Sequence, residues 1–115
     1  MKNKIIISPK FLKFFTGNFA SALAFFPFII LRKKEFATNP VLINHEMIHL
    51  RQQVELLLIF FYCWYLTEYI IRLIIYRNHL KAYRNISFER EAYANENNIY
   101  YNKQKKWWSF LKYIN

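Results

Sequence analysis

The sequence predicts a mainly helical α+β fold, in which a small N-terminal sheet or hairpin is followed by about three helices. Residues 41–76 contain neither glycine nor proline, whereas Pro9 and Pro27 interrupt the short apolar segments that precede them. The chain has only 1 glycine and 3 prolines, and 55% of its residues are hydrophobic. Collagen-like, linker-like and disordered chains are therefore excluded, and 115 residues fit one domain, 1–115.

The strand candidates lie in the N-terminal third of the chain. Residues 19–31 are uncharged, but Pro27 removes a backbone donor, which favours an edge strand or a strand pair bent at Pro27. Residues 5–7 are too short for the apolar region of a signal peptide, and Pro9 and Lys10 end that run. We therefore expect a cytoplasmic protein that is not secreted by a cleavable signal peptide.

The helical segments begin at recognisable signals. Asn39 and Pro40 are typical of an N-cap and a first helical turn. Residues 41–76 then form one long helix or two abutting helices. Ser87 is the predicted N-cap of the last helix, which is expected to continue through residues 95–106.

An HExxH motif lies in the first predicted helix, at His45, Glu46 and His49. Residues four apart lie on one helix face, so both imidazoles can bind the same zinc ion. Glu46 follows the first histidine and is placed to act as general base on a water that the metal activates. The motif predicts zinc as the cofactor, His45 and His49 as ligands, and Glu46 as the catalytic residue.

A zinc site of this kind needs a third protein ligand. Glu55 lies about 280° round the helix from His45, on the wrong face. His79 lies in a polar interruption and is interpreted as a surface residue. The segment SFEREAYANE, residues 87–96, is the better candidate.

The two motifs together resemble the gluzincin metallopeptidases, which follow HExxH with a glutamate ligand on a later helix. Glu89 begins an E-x-x-A pattern, with Tyr93 where the family often has aspartate. Glu91 begins an overlapping pattern, with Asn95 in that place. The resemblance favours Glu89 as the third metal ligand and leaves Glu91 as the alternative. It implies a single minimal zincin-like domain.

The same resemblance implies hydrolysis of a peptide or protein substrate. HEMIHLRQQ is similar to the HExxHxxQ pattern of several small metallopeptidase-like families. A chain this small has little surface for a substrate cleft, so slow turnover is expected. Hydrolysis also needs a donor to the oxyanion. The candidate donors are Tyr83, Arg84 and Tyr93.

Residues 56–75 are long and apolar enough to span a bilayer, but they also suit a buried core helix. A straight helix from His49 through this segment would be about 42 Å long, and the chain back to Glu89 reaches only about 40 Å. If residues 56–75 spanned the membrane, the chain that returns to Glu89 would have to cross the lipid again with unpaired backbone groups. A membrane span and a Glu89 ligand therefore exclude each other, and we predict a bend or break between Val54 and Glu68.

The charge balance indicates an alternative function. Lys and Arg number 17 against 7 acidic residues, a net charge of +10, which favours nucleic acid or an anionic membrane surface as partner. No nucleic-acid motif accompanies it, and residues 105–113 mix aromatic and basic side chains. The alternative is a membrane-surface binding module with a structural metal or none. Cys63 is predicted to be a buried thiol. Glu68 and Arg72 lie four residues apart, a spacing that allows a helical ion pair.

Overall fold

The computed structural model describes residues 4–114. The α-helices and strands are β1 Lys4–Ile7, α1 Pro9–Thr16, β2 Ala22–Phe25, β3 Phe28–Leu31, α2 Pro40–Glu55, α3 Ile59–Tyr76, α4 His79–Arg84, α5 Ser87–Asn95 and α6 Tyr101–Gln104. Short 3₁₀ helices cover Lys34–Thr38 and Ser109–Tyr113. The predicted mainly helical α+β fold is confirmed.

The sheet has the strand order β1-β3-β2. β3 pairs in parallel with β1 and antiparallel with β2, so the predicted strand pair bent at Pro27 is confirmed. Gln53 of α2 fixes the turn, because its amide oxygen accepts from Phe26 N at 2.8 Å and its amide nitrogen donates to Ala24 O at 2.9 Å. These two bonds hold the edge strand β2 against α2.

α2 begins where the sequence predicts. Pro40 is its first residue, and the Asn39 side chain accepts from Leu42 N at 3.2 Å, as an N-cap does. One side of α2 packs Leu50 against Ile29 and Leu31 of the sheet. The sheet therefore supports one side of the helix that carries the HExxH motif.

The predicted break in the long helical segment is confirmed between Glu55 and Ile59. Leu57 and Leu58 have φ angles of 55° and 62°, in the left-handed region that ends a helix. The Trp108 indole donates to Glu55 O at 2.8 Å and thereby satisfies a carbonyl at the end of α2. The chain reverses here, which brings α3 back towards the HExxH helix.

α3 is not a core helix, since Phe61 is its only buried residue. The prediction for Cys63 is wrong, because this side chain is exposed. The ion pair that the i,i+4 spacing of Glu68 and Arg72 allows does not form. Glu68 accepts from Ser87 N of α5 at 2.9 Å, and Arg72 donates to Ile114 O at 2.5 Å. Each charged side chain therefore bonds to a different segment of the chain.

Ser87 is the first residue of α5 rather than its N-cap, a position that Ile86 occupies. Glu68 replaces the local cap, since its carboxylate accepts from both the backbone N and the hydroxyl of Ser87. A carboxylate at a helix N-terminus is favoured by the unpaired N–H groups there. A long-range contact therefore performs the role that the sequence assigns to Ser87.

The predicted continuous last helix is also wrong, because α5 ends at Asn95 and α6 is separate. The Asn44 amide donates to Glu96 O at 2.8 Å and to Asn98 O at 2.9 Å. These carbonyls bond to a side chain of α2 instead of continuing a helical ladder. The end of α5 is thus tied to the HExxH helix.

Candidate metal centre

Three buried side chains converge between α2 and α5. His45 Nε2 lies 3.2 Å from His49 Nε2, and Glu89 Oε1 lies 3.1 Å from the first and 3.0 Å from the second. All three residues are buried. The helical spacing of the histidines and the packing of α5 against α2 produce this triangle.

The triangle fits the donor set of a zinc ion. Ligand atoms placed tetrahedrally at bond lengths of about 2.0–2.1 Å are separated by about 3.3–3.4 Å. The observed separations are 3.0–3.2 Å, so the side chains need only a small outward movement. Two imidazoles and one carboxylate are also the set found in catalytic zinc sites that keep one position open.

Gln52 fixes the orientation of His49. The Gln52 amide nitrogen donates to Phe88 O at 3.1 Å and to Glu91 Oε1 at 2.8 Å. The Gln52 amide oxygen must therefore face His49 Nδ1, which lies 2.7 Å away and donates to it. In the neutral imidazole this leaves the lone pair on Nε2, the atom that faces His45 and Glu89.

We expect Gln52→Ala to weaken zinc affinity by about 10–100-fold, because it removes the partner that orients His49. Competition with a chromogenic chelator measures this change. Gln53→Ala is the matched control: Gln53 is the next residue, is equally buried, and its side chain bonds to Ala24 O of β2 and to Phe26 N of the turn, not to a histidine. The same zinc affinity for Gln52→Ala and Gln53→Ala would show that the His49 bond has no such role.

Glu91 lies away from the triangle, in a second buried cluster. Its carboxylate accepts from Tyr101 Oη at 2.6 Å and from the Ser109 hydroxyl, and it lies 3.4 Å from Lys105 Nζ. Burial raises the pKa of Glu91, but these hydrogen bonds and Lys105 lower it below its usual value. The structure thus brings Glu89, and not Glu91, to the two histidines.

The charges of the triangle depend on one another. Burial lowers the pKa of His49, but the Glu89 carboxylate raises it to about 9 in the absence of a metal. Burial likewise raises the pKa of Glu89, yet both histidines bring it well below its usual value. The second Glu89 oxygen accepts from Tyr65 Oη at 2.8 Å, so α3 helps to hold the carboxylate.

His45 has different neighbours from His49. Its Nδ1 lies 3.4 Å from a Glu96 carboxylate oxygen, without hydrogen-bond geometry, and its ring contacts the Tyr93 ring at 4.5 Å between centroids. Tyr93 in turn hydrogen-bonds Tyr83 at 3.1 Å and lies under the Arg84 guanidinium at 3.8 Å. The three predicted oxyanion donors are therefore close together, beside His45.

Glu46 is buried next to the triangle. Burial raises the pKa of its carboxyl above the usual value, while His49 and His45 act in the opposite direction. The residue lines two cavities of about 610 Å³ and 270 Å³. It therefore lies where the two cavities adjoin.

The larger cavity reaches His49 and Glu89 and is otherwise mostly aromatic. The smaller cavity reaches His45, Tyr93 and Arg84. Tyr83, like Glu46, lines both. The aromatic residues of the larger cavity are Phe11, Phe15, Phe19, Phe25, Phe61, Tyr62, Tyr65, Tyr69, His79 and Tyr83.

Comparison with known proteins gives no relative. No family model, curated protein or solved structure matches this chain. The functional assignment therefore depends on the chemistry of the residues themselves.

Two residues of the site go beyond the sequence-based candidates. Gln52 lies three residues after His49, a spacing that places both on one helix face and could have identified it. Tyr65 reaches Glu89 only because the chain reverses after Glu55, and no local pattern indicates this. His79 is exposed, as expected, and bonds to Tyr69.

Proposed function

We propose that this protein is a zinc-dependent hydrolase of the gluzincin type that cleaves peptide bonds. The observation that carries the proposal is the buried triangle of His45 Nε2, His49 Nε2 and Glu89 Oε1, with edges of 3.0–3.2 Å, beside Glu46 at the wall of an aromatic cavity. The resemblance of HExxH and SFEREAYANE to the gluzincin pattern supports peptides as the substrate class.

His45, His49 and Glu89 would hold the zinc ion. When bound, zinc lowers the pKa of water towards about 7 and polarises a carbonyl oxygen. The remaining chemistry belongs to the side chains. His49 must lose a proton before it can act as a ligand, since its pKa is about 9 without metal.

Glu46 would be the general base. Its carboxylate would accept a proton from the attacking water and give it to the leaving amine, a role that requires a pKa near the working pH. Burial raises the pKa of Glu46 in that direction. Because Glu46 lines both cavities, it would reach a peptide that extends from one cavity into the other.

Tyr83 is the best of the three oxyanion donors. It lines both cavities, whereas Tyr93 and Arg84 line only the smaller one, and Arg84 lies on the Tyr93 ring. Burial, followed by the Glu89 charge, raises the pKa of Tyr83 far above 10. Its hydroxyl therefore stays protonated and can donate to the oxygen of a substrate carbonyl.

The alternative, a membrane-surface binding module with a structural metal or none, differs from this proposal in the role of the metal, whereas membrane contact is compatible with both. The exposed apolar face of α3 favours membrane contact, which concerns a different surface from the metal centre.

Reconstitution tests the proposal directly. The full chain, supplied with one equivalent of zinc, should hydrolyse a mixture of fluorogenic peptides, stop when 1,10-phenanthroline is added, and recover when zinc is restored. A chain that binds zinc but cleaves none of the peptides would contradict the hydrolase and leave a structural metal. A folded chain that takes up no zinc would contradict both.

A further inference from the structure

α3 exposes an entirely uncharged face. On a helical projection the residues around this face carry no charge, and the large apolar ones are strongly exposed, Ile59 and Ile74 at 72% and 69%. Cys63 and Thr67 are the other residues there. The apolar members are Ile59, Phe60, Leu66, Ile70, Ile71 and Ile74.

The charges of α3 lie on the opposite, inner side. Glu68 accepts from Ser87 of α5, and Arg72 donates to the Ile114 carbonyl. A surface helix of a soluble protein has the reverse arrangement, with apolar residues inward and charges outward. The outer face of α3 is therefore built to be covered by something apolar.

The apolar surface continues past α3 to the mouth of the larger cavity. Tyr62 of α3 stacks on Phe25 of the edge strand at 5.8 Å between ring centroids. Both line the cavity, together with Phe15 of α1, and all three are exposed. Phe14, next to Phe15, is 82% exposed. One apolar surface thus borders the cavity mouth and the outer face of α3.

Charge distinguishes the candidates for the covering surface. The chain carries a net charge of +10, so a second copy docked on this face would bring together two molecules that repel each other. Exposed cations accompany the apolar surface: Arg77 and Lys81 follow α3, and Lys10 and Lys13 are on α1. An anionic lipid bilayer matches this surface, because its acyl chains suit the apolar face and its headgroups attract the bordering Lys and Arg side chains.

The contacts of α3 define how it would meet a bilayer. Among residues 4–114 it is the helix long and apolar enough to cross a membrane. Its inner side, however, is bonded to α5 through Glu68, to Glu89 through Tyr65 and to the C-terminal segment through Arg72. A spanning position would place these polar groups in lipid, whereas an in-plane position leaves them with the protein.

We infer that the outer face of α3 docks on an anionic lipid bilayer, with the helix axis in the plane of the interface and the cavity mouth beside the membrane. This surface is separate from the metal ligands, so its test is independent of the proposed hydrolysis.

Vesicle flotation of the full chain tests the inference. The wild type should float with phosphatidylcholine vesicles that contain about 30% phosphatidylglycerol, and much less with phosphatidylcholine alone. Leu66→Gln with Ile70→Gln should reduce the partition coefficient at least about tenfold. The matched control is Ile99→Gln with Tyr100→Gln, which changes two equally exposed apolar residues between α5 and α6. It should float like the wild type.

Cys63 supplies a second readout, because it is the chain's single cysteine and lies on the proposed face. An environment-sensitive fluorophore on Cys63 should shift to the blue when anionic vesicles are added. Absence of flotation and of this shift in the wild type would overturn the inference. So would unchanged flotation of the Leu66/Ile70 variant, or a wild-type dimer that this variant dissociates, since a second copy would then cover the face. Equal circular dichroism spectra of the wild type and the variants show that the variants are folded.

Discussion

Glu89→Gln is expected to reduce zinc binding from about one ion per chain to a trace, with an affinity loss of more than about 100-fold. Glu89 Oε1 is within 3.1 Å of both imidazole nitrogens, and its charge neutralises part of the charge of the ion. An amide oxygen of the same shape is a neutral and weaker ligand. Elemental analysis after dialysis, together with chelator competition, measures the loss.

Glu91→Gln is the control that this helix offers. Glu91 is a buried carboxylate two residues away from Glu89, and it faces Tyr101, Ser109 and Lys105. It also accepts from Gln52 Nε2 at 2.8 Å, a bond that the amide oxygen of a glutamine can still accept. The variant should keep zinc stoichiometry and lose about 1–3 kcal/mol of unfolding free energy, because the buried donors lose a charged acceptor. Loss of zinc in Glu91→Gln with retention in Glu89→Gln would mean that the alternative ligand is correct.

The features that depend on local chemistry could be predicted from the sequence. Asn39 and Pro40 start α2 where an N-cap and a first-turn proline indicate, and Pro27 bends a strand pair. His45 and His49 share a face because their spacing requires it. Chain reach predicts a break between Val54 and Glu68, because a Glu89 ligand must return to the histidines, and the structure has the break after Glu55.

The errors arise where a distant side chain replaces a local partner. Ser87 has the residue type of an N-cap, but Glu68 performs that function from α3. Asn44 bonds to the carbonyls that a continuous last helix would need. The apolar neighbours of Cys63 predict a core position, yet that side of α3 faces outward. Hydrophobicity in the sequence indicates that a face is to be covered, not what covers it.

Glu46→Gln is expected to retain zinc and to lower kcat for peptide hydrolysis by about 10²–10⁴-fold, the contribution of a general base. The amide has the same shape but cannot accept the proton of the attacking water. Burial already disfavours the charge of Glu46, as its raised pKa indicates, so the neutral side chain should not reduce stability. Zinc content, thermal unfolding and kcat on one preparation separate these effects.

Glu96→Gln is the matched control, since Glu96, like Glu46, is a carboxylate near His45 outside the triangle, and it lines only the smaller cavity. It should retain zinc and most of the activity. Equal rates for Glu46→Gln and the wild type, both loaded with zinc, would contradict Glu46 as the base. In the proposed mechanism Glu46 transfers a proton and does not bind the ion. Loss of zinc in Glu46→Gln would therefore show that Glu46 is part of the metal site. Zinc retained with hydrolysis lost is therefore the one outcome that fits a base beside a three-ligand centre.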